Sequence, residues 1–71
     1  MIADGDRMVG EIGWVTTRIA GGERPGEVQV PLRGGSETFI AYGSEPIERG
    51  AQVVVVARRL GRSLEVTPFT G

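Results

Sequence analysis

A chain of 71 residues with a formal net charge of −1 and no cysteine forms one small domain, without a disulfide framework or a thiolate zinc site. Near-neutral charge gives no long-range attraction to phosphate, so bulk nucleic-acid binding is disfavoured. No apolar run approaches the roughly 20 residues that span a bilayer, and the first residues lack the basic and apolar regions of a signal peptide.

Such a chain buries only about 60% of its unfolded surface, and ordering it costs on the order of 100 kcal/mol. With 39% apolar residues, one thin core is all it can build. The absence of cysteine fits a reducing compartment. The 8 basic residues are all arginine, a usage that a GC-rich coding sequence also produces.

Met1–Met8 is polar and without periodicity and reads as a flexible linker stub. Val9–Ile19, "VGEIGWVTTRI", reads as a long first strand bent at Gly10 and Gly13, since interior glycines mark bulges and barrel corners. Ala20–Gly26 is a turn cluster ending in Pro25-Gly26. Glu27–Arg33 alternates, with Val28, Val30 and Leu32 on one side; Pro31 lies on the other and predicts an exposed or bulged position. A glycine-rich hairpin turn leads into Glu37–Tyr42.

Gly43–Gly50 has room for one helical turn at most, with Pro46 and Gly50 limiting it and Ile47 predicted to plug the barrel bottom. Ala51–Leu60 carries four consecutive valines and predicts a strand covered on both faces. After "GRS", Leu64–Phe69 alternates again, with Leu64 and Val66 inward, and residues 70–71 form a tail. Five strands with a bent first one match an all-β fold. The expected form is a small five-stranded Greek-key barrel of the oligonucleotide/oligosaccharide-binding (OB) type, with a short turn between strands 3 and 4.

Missing residue types limit the chemistry. Without His, Cys or Lys there is no ordinary neutral-pH base, thiolate nucleophile, Schiff-base amine or P-loop lysine. The same lack of lysine removes biotinyl- or lipoyl-type carrier function, despite the "EPIERGAQVVVV" rhythm. Ser36, Ser44 and Ser63 lie in turn contexts without an activating partner. Glu23 with Glu27, and Glu45 with Glu48, would need one member buried to act as an acid–base pair, yet both pairs fall among glycine and proline. No catalytic residue, cofactor site or metal site is expected.

Two binding roles stay open. An OB barrel that binds nucleic acid needs aromatic platforms and a basic groove on strands two and three. Strand two has no aromatic residue, Phe39 and Tyr42 fall on opposite sides, and so do Arg58 and Arg59. Trp14 is either packed at the barrel's edge or an exposed anchor for a partner protein or a membrane surface. Phe69 either joins it in an apolar patch or caps the barrel, so these two are the candidate partner contacts.

Together these motifs resemble the C-terminal soluble domain of NfeD-like proteins over residues 9–69. Gly10 and Gly13 match an opening Gly-x-x-Gly, followed by Val15 and Thr17; Pro25, Gly26 and Val28 match a Pro–Gly–Val element in shortened form. Ala41 matches an alanine ending strand three, Pro46, Ile47, Gly50, Val53 and Val55 match Pro-Ile-x-x-Gly-x-x-Val-x-Val, and Leu64 and Val66 match a closing Leu-x-Val. The resemblance implies a bacterial, non-catalytic OB-like domain that follows transmembrane helices and docks on or organises a stomatin- or flotillin-type membrane scaffold. It further implies a cytoplasmic, soluble domain of a membrane-associated protein, self-associating at full length, without the Clp-like protease domain of longer members. The alternative is an OB-fold nucleic-acid-binding module.

Overall fold

The computed structural model describes residues 8–70. Five strands close into a barrel: β1 (Ile12–Thr17), β2 (Gly26–Leu32), β3 (Gly35–Tyr42), β4 (Gln52–Arg58) and β5 (Ser63–Pro68), in the order β1-β2-β3-β5-β4. All pairings are antiparallel except β3 with β5, which run parallel with Ile40 opposite Ser63. No helix among the described residues is long and apolar enough to cross a membrane.

Period-two alternation produces this wall. Val15, Val28, Val30, Phe39, Ala41, Val53, Val55, Leu64 and Val66 all point inward and are buried, while their strand neighbours face solvent. Closure leaves little free sheet edge and explains why so short a chain needs no second layer. Loop residues complete the core: Ile19 and Ile47 form an isolated antiparallel bridge, and both are buried.

Gly13 and Gly26 are required by close approach, not by turns. A Cβ on Gly13 would stand 2.5 Å from the Gln29 carbonyl oxygen, where β1 and β2 pack backbone to backbone. At Gly26 it would overlap the carbonyl oxygens of Thr17 and Arg18, at the corner where β2 begins.

The structure differs from the sequence reading in several places. The long first strand is shorter, Ile12–Thr17, although it still joins both halves of the barrel by pairing with β2 and β4. Gly43–Gly50 holds bends, the Ile47 bridge and a turn at Arg49–Gly50 instead of a helical turn. The valine run is not covered on both faces: Val53 and Val55 are buried, Val54 is half-buried and Val56 is 48% exposed. A single barrel wall has only one inside, so alternation turns Val54 and Val56 outward, and the register shift between Val55 and Ala57 leaves Val56 without a partner on β5. Met8, assigned to the linker stub, is buried in the core; the rest of that stub lies outside the described residues.

Pro31 is exposed, as its outward position predicts. The β1–β2 register ends at Gln29, so the missing N–H interrupts no pairing with β1.

Candidate interaction surface

Catalysis finds no support in the geometry. Among the described residues no polar or charged side chain is buried, and no cluster of acidic residues is arranged to hold a metal ion. Glu23, Glu27, Glu45 and Glu48 are all exposed. Glu27 accepts a hydrogen bond from the Thr17 hydroxyl at 3.0 Å, and Glu48 one from Arg18 Nε at 2.8 Å. Serving as acceptors in solvent, they have none of the burial that acid–base work requires.

The two candidate contacts from the sequence meet on one outer flank. Trp14 lies opposite Gln52 across the β1–β4 pair, and the Phe69 N–H donates to the Gln52 carbonyl at 2.9 Å. Adjacent strands lie about 4.8 Å apart, so Trp14 and Phe69 flank Gln52 at roughly 10 Å. Both side chains face outward, 38% and 39% exposed.

The next row of the same flank runs Ile12, Val54, Thr67, with Ile12 and Val54 half-buried. None of the six residues in these two rows is charged. Aromatic enrichment with charge depletion is the composition found at the centres of protein interfaces. Trp14 is therefore an outward residue and not a core one, while Gln52 and Val54 belong to the flank unremarked by sequence reasoning. Only register, which no local pattern reveals, brings them beside Trp14.

The adjoining flank, which meets the first at Thr67, is tied up by charge. The Arg59 guanidinium sits 3.9 Å above the Tyr42 ring, and its Nε donates to Glu65 Oε2 at 3.0 Å. These three residues, with Glu23 and Val56, line an open groove of about 310 Å3. With its face already covered by arginine, Tyr42 offers no stacking platform for a base. Phe39 is buried, and the outer positions of β2 and β3 present Glu27, Gln29, Thr38 and Ile40. Arg58 and Arg59 serve separate contacts, Arg58 donating to the Gly61 carbonyl at 3.3 Å.

Leu60 was also missed from sequence. Assigned to the end of a strand, it stands instead at the tip of the β4–β5 loop, 96% exposed. The signal was there: an isolated leucine in Arg58-Arg59-Leu60-Gly61-Arg62, directly before a glycine turn. Of the motif residues, Gly10 lies in the turn before β1, and Pro25, Pro46 and Gly50 lie in connections between strands.

Two solved structures share this fold and cover nearly the whole chain. The C-terminal domain of stomatin operon partner protein 1510-C from Pyrococcus horikoshii matches with a TM-score of 0.77 and 28% identity, covering 99% of this chain and 100% of that one. The soluble domain of the NfeD protein YuaF from Bacillus subtilis matches with a TM-score of 0.78 and 29% identity, covering 93% of this chain and 79% of that one. No curated protein matches. The family model for the NfeD C-terminal domain matches residues 12–67, from the first residue of β1 nearly to the end of β5, and the chain belongs to that family.

Proposed function

We propose that this barrel is a non-catalytic protein-interaction domain of an NfeD-like membrane protein, and that it docks on a stomatin- or flotillin-type scaffold. The observation that carries the reading is the uncharged outer flank, on which Trp14 and Phe69 stand exposed either side of Gln52. A protein partner that covers this flank removes two large aromatic surfaces from water with no buried charge to offset. The naming of the Pyrococcus horikoshii relative as a stomatin operon partner supports the partner class. In this reading residues 8–69 are the domain, residues 1–7 join it to membrane helices, and it faces the cytoplasm in a self-associating full-length protein.

Co-purification of the full-length protein with the stomatin-type protein encoded beside it tests the proposal. Deletion of this domain, or Trp14→Ala together with Phe69→Ala, is expected to abolish the pairing. Retention of the partner by the double variant would overturn the assigned flank, and retention by the deletion would overturn the docking role itself.

A further inference from the structure

One end of the barrel combines features that the flank described above does not. β1 runs antiparallel to β2 and β4, and β3 runs parallel to β5. The Arg33–Gly34 turn and the β4–β5 loop consequently lie at the same end as Met8–Gly10, where the chain leads into β1. Leu60 stands 96% exposed at the loop tip. The same end also carries Val9, 48% exposed, Arg58 and Arg33, both exposed and without an ion pair among the described residues, and Arg62, which pairs with Glu37 and is 61% exposed at its side chain. Among the described residues, Glu11 and Glu37 are the acidic groups at this end. Arg59 is held away on the groove flank by Glu65. The connections at the other end carry Arg18, Arg24 and Arg49 with Glu23, Glu45 and Glu48, Arg18 pairing with Glu48, and neither presents an exposed large hydrophobic residue.

We propose that the Leu60 end rests on an anionic lipid bilayer, with Leu60 in the headgroup region and Arg33, Arg58 and Arg62 against lipid phosphates. Exposed aliphatic side chains, Leu60 and Val9, on a barrel end that also carries three arginines fit a bilayer interface. There, apolar tips enter the acyl boundary while guanidinium groups stay at the phosphates on their flexible stems. A protein partner would instead favour a contiguous, charge-poor patch, which is the character of the Trp14 flank. Residues 1–7 join the barrel at this same end, so a chain arriving from a membrane would set this end against it. The inference rests on the membrane-protein reading above, but its test needs no membrane helices.

The test uses the 71-residue chain with phosphatidylglycerol vesicles and, separately, with phosphatidylcholine vesicles, at low salt. Phosphatidylglycerol is expected to broaden the amide signals of Gly34, Leu60 and Gly61 while those of Gln52 and Phe69 and the Trp14 fluorescence stay unchanged. Cosedimentation should fall about fivefold for each of Arg33→Ser and Arg58→Ser, because a basic residue near an anionic surface is worth about that factor. Leu60→Ser should lower it further without altering the melting temperature. No broadening with phosphatidylglycerol, or broadening centred on Trp14, would overturn the proposal. So would equal broadening by soluble polyglutamate, which would assign this end to an acidic protein. Vesicle binding with failed co-purification would leave this inference standing and reject the docking role; the reverse result would reject this inference alone.

Discussion

The Trp14–Phe69 flank and the Tyr42–Arg59–Glu65 flank are outer faces of one continuous wall, built from strands of similar length, yet they meet solvent in different ways. On the first, two aromatic side chains stand without a charged neighbour in their rows. On the second, the one outward aromatic ring is covered by a guanidinium that is itself bound to a carboxylate. The difference shows how a barrel with a single core can keep one face available. Polar groups on the Tyr42 side satisfy one another, while the aromatic groups on the Trp14 side keep more than a third of their surface uncovered by the described residues.

The largest effect is expected from the interior that both flanks share. Leu64→Ala should cost about 2–5 kcal/mol, against a total stability of about 4–10 kcal/mol for a domain of this size. It should lower the melting temperature by 10 °C or more, about 4–8 °C per kcal/mol, and loosen both flanks together. If the Tyr42 flank kept its native amide shifts while the Trp14 flank lost them, the picture of one cooperative wall would fail. Gly13→Ala and Gly26→Ala should be comparably severe, because each Cβ meets backbone oxygen that has no room to yield; circular dichroism melting would show it.

Smaller and more selective effects separate the flanks. Trp14→Ala is expected to weaken partner binding about thirtyfold, corresponding to about 2 kcal/mol at an interface anchor. Stability should change little, since the side chain is already partly exposed; calorimetric titration paired with a melting curve reads both. Gln52→Glu should weaken the partner likewise, by placing a charge at the centre of an uncharged patch. An unchanged affinity in either variant would mean that the flank is not the interface. The smallest effect belongs to the other side: Glu65→Gln should cost at most about 1 kcal/mol, diminishing as salt is added, because the Arg59 pair is partly exposed on both partners.

Much of the wall was legible from local pattern. Clean alternation in Glu27–Leu32 and Leu64–Thr67 set which side chains turn inward, and the register bears out Val28, Val30, Leu64 and Val66 as core. The four-valine run misled because hydrophobicity alone does not distinguish a strand buried on both faces from one carrying a bulge. Met8 was misplaced because a single apolar residue after a polar stretch has no periodicity to announce it. Leu60 was absorbed into a strand because the run of apolar and arginine residues ahead of it gives no local stop before Gly61.

By itself, the sequence determined the class of the fold and the absence of His, Cys and Lys. Strand alternation and residue chemistry are local properties, expressed within a few positions of each amino acid. Only the tertiary structure decided that Trp14 and Phe69, far apart along the chain, share a face across Gln52, and that Leu60 joins Arg33 at the end where the chain comes in. Such neighbours depend on strand order and register, which the closure of the whole barrel sets and no single segment contains.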